Sequence, residues 1–300
     1  MRLLNFGSCN VDHVYSLDKI VSSGETVSTH SLELFEGGKG LNQSIAAARA
    51  GLCVYHAGCI GEDGGMLAEL LFKSGVKLDY LRTVNERTGH AIIQVSSSGE
   101  NCILLYGGAN LAVSKELIDE VLADFSEGDM LLLQNEISEV PYAVKRAYEK
   151  GMRIALNPSP FNEVIRDIDL NMISYLILNE HEARELTGCS EPEKIKEAIL
   201  MAYPRLKTVL TLGKLGCVYF DSDVTAYQSA FSVDTVDTTG AGDTFTGYFL
   251  CSIMQGDSAE SAILTASAAS ALAVSRKGAA PSIPYAFEVA QAKKTLRPLR

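Results

Sequence analysis

Short apolar runs rich in β-branched residues recur along the chain: LLNFGS at 3–8, CVYHAGCI at 53–60, MLLLQ at 130–134, RIALNP at 153–158, YLILNE at 175–180 and TVLTLG at 208–213. Between them lie stretches with apolar residues at helical spacing, among them SIAAARAG, GGMLAELLFKSG, VPYAVKRAYEKG and EKIKEAILMAY. Strands that are apolar throughout, rather than alternating, have both faces covered. Their alternation with helices predicts an α/β fold, a mostly parallel sheet with helices on both sides.

Two segments break that rhythm. Within residues 13–35, apolar and polar positions alternate near Leu32 and Leu34. Residues 89–106, GHAIIQVSSSGENCILLY, read as a hairpin around Ser-Ser-Ser-Gly-Glu-Asn. Neither has a helix to cover it, so together they predict a small β lid over the edge of the main sheet. The expected division is a core of residues 1–12, 36–88 and 107–300 and a discontinuous lid of 13–35 and 89–106.

Composition narrows the class. A chain of 300 residues, 47% hydrophobic and 21% charged, can bury a sizeable core without disulfides or structural metals. Its net charge of -11 argues against a general nucleic-acid binder, which needs a basic face. A small anion held by local backbone dipoles is not excluded. The seven cysteines form no Cys-x-x-Cys pair and mostly sit in apolar runs, so they are expected to be buried hydrophobes in a reducing compartment. No apolar run reaches the ~18 residues of a membrane span. The N-terminal apolar stretch is too short for a signal peptide and is interrupted by Asp12. A cytoplasmic protein is expected.

Four constellations carry candidate chemistry. DTTGAGDTF at 237–245 follows SAFSVDTVD, which has strand character, and leads into a helical apolar pattern. Gly240 and Gly242 then sit at a strand-to-helix turn, where backbone N–H groups converge and the helix N-terminus adds positive potential. That is a nest for an anion, and Asp243 in the first turn is placed to accept a proton from an attacking hydroxyl. The same residues serve equally well as a turn and a helix cap, and on nine residues alone neither reading prevails.

The second is EGGKGLNQS at 36–44, glycines ahead of a helix with Lys39 and Asn42 as polar groups. It is not a Walker A loop, because Gly40 follows Lys39, and no Gly-x-Gly-x-x-Gly follows the first strand. It is either a glycine-rich turn with a solvated lysine or a backbone approach to a polyhydroxyl ligand. Third, Asn10 and Asp12 are spaced by two, so on extended chain they point the same way and can hold vicinal hydroxyls; taken alone they read first as a polar pair in an exposed loop. Fourth, His181-Glu-Ala-Arg-Glu185 lacks the second histidine of a zinc-protease helix. Carboxylates after YLIL suit either Mg²⁺ held through water or a helix cap. The other histidines are scattered and carry no assigned chemistry.

In order along nearly the whole chain come GSCNVDH at 7–13, GETV at 24–27, GGKGLNQS at 37–44, GGAN at 107–110, Gln134-Asn-Glu136, NPSP at 157–160, NEHE at 179–182, TLGKLG at 211–216, DTTGAGDTF and SRKGAAPS at 275–282. This series resembles the ribokinase branch of the PfkB carbohydrate kinase family. The resemblance implies a three-layer α/β/α sandwich with a β lid, and phosphoryl transfer from ATP to a sugar primary hydroxyl, foremost D-ribose to D-ribose 5-phosphate. Another sugar or nucleoside (deoxyribose, fructose, adenosine) is the alternative on the same scaffold, and a non-catalytic sensor the alternative of another class.

By the same resemblance Asp243 is the base, and the backbone of Gly240, Ala241 and Gly242 is the anion hole. Asn10, Asp12, Gly38, Lys39, Asn42 and Glu136 bind the sugar. Asn179 and Glu182 serve the magnesium and triphosphate region. Thr211, Gly213 and Gly216 form the nucleotide loop, joined by Gly242. Ser267 stands against the adenine, where ribokinases often carry His or Asn. A monovalent cation, usually K⁺, falls to Asp237, Thr239, Ala273, Arg276, Gly278 and Ser282. The lid closes over the sugar and pairs with a second subunit's lid, implying a homodimer with no nucleic-acid or membrane partner.

Overall fold

The computed structural model describes residues 1–299, within which thirteen strands form two sheets accompanied by ten α-helices. The first part of the chain runs β1 (Leu3–Phe6), β2 (Asn10–Leu17), β3 (Ser31–Gly37), α1 (Lys39–Arg49), β4 (Val54–Ile60), α2 (Gly65–Lys73) and β5 (Lys77–Thr83). Next come β6 (Gly89–Ser96), β7 (Asn101–Tyr106), α3 (Lys115–Ala123), β8 (Met130–Leu133), α4 (Val140–Glu149), β9 (Arg153–Leu156), α5 (Glu163–Arg166) and β10 (Tyr175–Asn179). The remainder is α6 (Glu180–Thr187), α7 (Pro192–Ala202), β11 (Lys207–Thr211), β12 (Cys217–Phe220), β13 (Thr225–Gln228), α8 (Ala241–Gln255), α9 (Ala259–Val274) and α10 (Ala286–Ala292).

Nine strands make the main sheet in the order β13-β12-β11-β10-β9-β8-β1-β4-β5. From β5 to β11 every pairing is parallel, and β12 and β13 add an antiparallel edge. The apolar runs are strands for the expected reason. Leu3 and Leu4 are both fully buried, yet they enter opposite hydrophobic clusters, one on each face of the sheet. The cluster around Leu3 takes in Leu41, Ile45, Phe249 and Ala266 from α1, α8 and α9. The cluster around Leu4 takes in Ile118, Val144 and Ile195 from α3, α4 and α7.

One close contact decides where chemistry sits. A Cβ on Gly247 would overlap Ala46 and the backbone of Ala47, so α8 and α1 touch along their lengths. Their N-termini, bearing the GAGD and GGKG sequences, are thereby brought together. The strand order reverses around β1, flanked by β8 and β4, and the loops after β1, β8, β9, β10 and β11 open toward the same place. That is the ligand position of an open α/β sheet.

Four strands make the second sheet in the order β3-β2-β6-β7, with β2 and β6 parallel and the two outer pairs antiparallel. Every residue of β7 is exposed, as are Leu32 and Leu34 of β3.

Two local expectations need correction. SAFSVDTVD is not a strand: it makes a single bridge, Phe231 to Pro298. Its alternating Val and Asp mimic the strand period, but the N–H groups of Val236 and Asp237 both donate to the Val274 carbonyl at the end of α9, and among the described residues no strand of either sheet pairs with it. The cysteines are also not uniformly buried. Cys53 precedes β4 and Cys102 lies on the outer lid strand, both exposed, and Cys189 is half-buried after α6. No helix among the described residues is long and apolar enough to cross a membrane.

Candidate active site

Helix α8 begins in a turn that only glycine fits comfortably. Gly240 has φ 73°, left-handed, and a Cβ there would press on Ala279 at 3.1 Å. Of the following N–H groups, that of Ala241 reaches the Thr238 carbonyl at 3.3 Å. Those of Gly242 and Asp243 meet no acceptor among the described residues, as the first turn of a helix requires. A Cβ on Gly242 would meet nothing within 4 Å, so that backbone faces open space. The geometry is an anion cradle.

Two cavities meet there. The larger, of about 490 Å³, is walled by Phe231, Val233, Phe245 and Ala271, with Thr211 and Ser267 as polar groups. Gly213 and Gly216 of the loop after β11 border it, and at φ 102° with its Cβ blocked by the Gln228 carbonyl, Gly216 has no substitute. The smaller, of about 190 Å³, is polar, lined by Lys39, Asn157, Asn179, Glu182 and Asp243. Thr211, Thr238, Ala241 and Gly242 border both. An apolar slot of this size suits a planar base, and the polar annex beyond the cradle suits phosphates.

Asp243 stands in the annex, held at both oxygens. Asn42 Nδ2 donates to Oδ2 at 3.0 Å and Gln43 Nε2 to Oδ1 at 2.9 Å. Burial pushes its carboxyl up, and Lys39 with the two amides only partly counters this. Burial also pulls on the Lys39 ammonium, but Glu136, Asp243 and Glu182 outweigh it and hold its pKa above the ordinary value. Lys39 is therefore a cation facing the annex.

On the lid side, Ser8 and the Lys39 N–H both donate to the Glu136 carboxylate, and Lys39 Nζ lies 3.6 Å from it. Gly38, at φ 98°, makes the turn that allows this. Asn10 and Asp12 open β2 and point to the same face. Asn110 Nδ2 donates to Asn10 Oδ1 at 2.7 Å, which leaves the Asn10 amide to donate outward. Asp12 packs where any Cβ on Gly37 would overlap it. Burial, then the Glu136 charge, push its carboxyl up to about 7.

Asn179 and Glu182 form a reciprocal capping box at the start of α6 while lining the annex. Among the described residues no three His, Cys, Asp or Glu side chains converge as in an all-protein metal cage. Glu182 and Asp243 are the carboxylates of the annex, a donor set that suits Mg²⁺ keeping most of its shell in water and phosphate. Of the residues expected for a monovalent cation, Asp237, Thr239 and Gly278 are drawn together. Asp237 accepts from the Thr239 N–H and hydroxyl and from the Gly278 N–H at 2.7–2.9 Å. The Ala273 carbonyl takes the Arg276 N–H, the Arg276 guanidinium pairs with Glu288 at 2.7 Å, and the Ser282 hydroxyl donates to the Ala279 carbonyl.

Sequence reasoning assigned no role to Gln43, Gln134, Asn157, Asn110, Ser8 or Gly37, which position the others. Each lies inside or beside a motif run, where a polar or glycine position gives no sign in the sequence of the side chain it will meet.

Known proteins give the same picture. The family model described as pfkB family carbohydrate kinase matches residues 2–286. A ribokinase of Haemophilus influenzae is 37% identical over 287 residues, covering 93% of this chain and 94% of that one. The structure of Arabidopsis thaliana ribokinase complexed with ribose and ATP is 33% identical and superposes with a TM-score of 0.87, covering 98% of each chain. That of a Cryptococcus neoformans ribokinase in complex with ADP, also 33% identical, gives 0.85, covering 97% of this chain and 99% of that one. The chain belongs to the pfkB family of carbohydrate kinases, in its ribokinase-like branch.

Proposed function

We propose that this kinase transfers the γ-phosphoryl group of ATP to the primary hydroxyl of D-ribose, giving D-ribose 5-phosphate and ADP, with Asp243 as general base. The observation that carries the reading is the place of Asp243: in the first turn of α8, beside unpaired N–H groups, where an apolar slot meets a polar annex. The Arabidopsis relative's ribose and ATP support the choice of substrates.

The hydroxyl oxygen bonds to the γ-phosphorus as the bond to the bridging oxygen breaks, and the electron pair leaves on ADP. Asp243 receives the hydroxyl proton. A carboxyl raised by burial is a better proton acceptor than a solvated one, and the Lys39 ammonium beside it favours its ionised form. The N–H groups of Gly242 and Asp243, with Gly240 shaping the turn, stabilise charge on the phosphoryl oxygens without reorganising, which is what this chemistry needs most. Asn10 donates to sugar hydroxyls, Asp12 and Glu136 accept from them, and Lys39 and Asn42 complete the ring. Ser267 and the loop of Thr211, Gly213 and Gly216 border the base. Asn179 and Glu182 would hold Mg²⁺, which supplies charge neutralisation on the phosphates. The loops of Asp237–Thr239 and Ala273–Ser282 would hold K⁺, which adds positive potential next to the cradle. The second sheet acts as a lid that excludes water and pairs with a second copy.

The test is ADP release with Mg-ATP and ribose, deoxyribose, arabinose, fructose or adenosine, in K⁺ and in Na⁺ alone. Ribose is expected to give the highest kcat/KM and K⁺ to raise it. Asp243→Asn is expected to bind ribose nearly normally and lose several orders of magnitude in kcat. Near-normal turnover by that variant sinks the base assignment, and a better substrate than ribose overturns the substrate.

A further inference from the structure

Behind Asp243 runs a buried chain of polar side chains that the proposed chemistry does not use. Gln43 Nε2 donates to Asp243 Oδ1 and also to Asn157 Oδ1 at 3.0 Å. Gln134 Nε2 donates to Gln43 Oε1 at 2.7 Å and to Asn5 Oδ1 at 3.0 Å. Asn5 Nδ2 donates to the Gly40 carbonyl and to Ser44 Oγ, both at 2.8 Å. Ser44 Oγ lies 2.8 Å from His56 Nδ1, and His56 Nε2 lies 3.3 Å from Cys9 Sγ. Asn5, Gln43, Ser44 and His56 are 0% exposed, and Gln134 1%.

The direction of this chain is fixed at its ends by atoms that can only accept. The Gly40 carbonyl forces the Asn5 amino group toward it, so Asn5 Oδ1 faces Gln134. The Asp243 carboxylate forces the Gln43 amino group toward it, so Gln43 Oε1 also faces Gln134. The Ile177 carbonyl takes Asn157 Nδ2 at 2.9 Å, so Asn157 Oδ1 faces Gln43. No amide can turn over without setting acceptor against acceptor. Ser44 Oγ accepts from Asn5 and bonds with the His56 ring, which burial keeps neutral by pulling its pKa down to about 4. Gln134 Oε1 has no hydrogen-bond partner among the protein groups of the described residues.

We propose that Gln43 is a positioning residue that fixes the orientation of the Asp243 carboxylate, and that Gln134 and Asn5 act on Asp243 through it. The inference rests on Asp243 being the base. The charged groups that also face Asp243 are Lys39 of α1, Glu136 after β8 and, across the annex, Glu182 of α6. None of them touches Gln43 or Gln134 in the hydrogen-bond pattern, so the amide chain can be altered separately.

Gln43→Met keeps the volume and removes the donor. It is expected to lower kcat roughly 10- to 100-fold, the scale of a misplaced catalytic group, with KM for ribose and ATP within about 3-fold. Losing a donor to the ionised form also moves the acid limb of the kcat–pH profile to higher pH, which a merely structural defect does not do. Gln134→Met is expected to shift the same limb by less, and the double variant to match Gln43→Met alone. An unshifted limb with normal kcat in Gln43→Met overturns the proposal. Additive effects in the double variant overturn the part assigned to Gln134 and Asn5. Should Gln43→Met not fold, by circular dichroism and ADP titration, Gln134→Met carries the test, and an unmoved limb there also overturns it. Asp243→Asn run in parallel separates the two readings: if it retains turnover the base assignment is wrong, whereas its loss beside a normal Gln43→Met removes only the positioning role.

Discussion

Asp12 and Asp243 are both carboxyl groups whose pKa burial pushes up. Asp12 sits under Gly37 with Glu136 as a like-charged neighbour, and its carboxyl rises to about 7 against an ordinary 3.8. Between those values the folded state binds a proton that the unfolded chain has released. Stability contributed by this group is therefore full at low pH and falls as pH rises through about 7. Asp12→Asn is expected to raise Tm by a few degrees at pH 8 and by little near pH 4, read by thermal unfolding at both. The same variant is expected to weaken ribose at least about 10-fold, because an acceptor for vicinal hydroxyls is lost, with ATP affinity unchanged. A Tm difference that is flat with pH contradicts the burial of charge at Asp12.

At the scale of elements, the N-terminus of α8 opposes stability to chemistry. Gly242 is helical with no contact that a methyl group would violate, so Gly242→Ala is expected to stabilise by about 0.5–1 kcal/mol. It also places that methyl in the cradle, and kcat is expected to fall roughly 10-fold or more. A variant both more stable and fully active removes the backbone of Gly242 from the anion site. Gly240 differs: its positive φ predicts a stability loss of about 1–2 kcal/mol for alanine.

This split also explains what the sequence made legible. Strands such as LLNF and MLLL, buried on both faces, leave an apolar run that any reader of period can find. The segment 229–237 alternates Val and Asp as a strand can, yet packs on the end of α9, because partner strands are a tertiary fact. GAGD and GGKG were readable because glycines before a helix have a mechanical cause, whereas Gln43 and Gln134 look like any polar residue until α1 and β8 are placed side by side. Gly247 is the hidden determinant, a mid-helix glycine whose only signature is the closeness of Ala46.

The whole molecule has an unfinished side. In the second sheet, β7 is an edge strand, so its outward N–H and C=O groups are unpaired by any neighbour in the sheet order. Both of its faces are apolar and open: Ile103, Leu104 and Leu105 are 55%, 60% and 52% exposed. The register lines Ile103 up with Ile93 and Val14, on the face that two residues away carries Asp12. Leu104 lines up with Ile92, His13 and Leu34 on the other face. A patch of that kind on a free monomer invites aggregation, and a second lid laid across it covers the edge and the apolar rows together. Sedimentation equilibrium is expected to give a dimer. On the proposed pairing of lids, Ile103→Lys is expected to give a monomer with a raised KM for ribose and an unchanged KM for ATP. A wild-type monomer at micromolar concentration, with full activity, would falsify the pairing of lids. A dimer that survives Ile103→Lys with normal ribose KM moves the interface elsewhere and leaves the apolar lid face without this explanation.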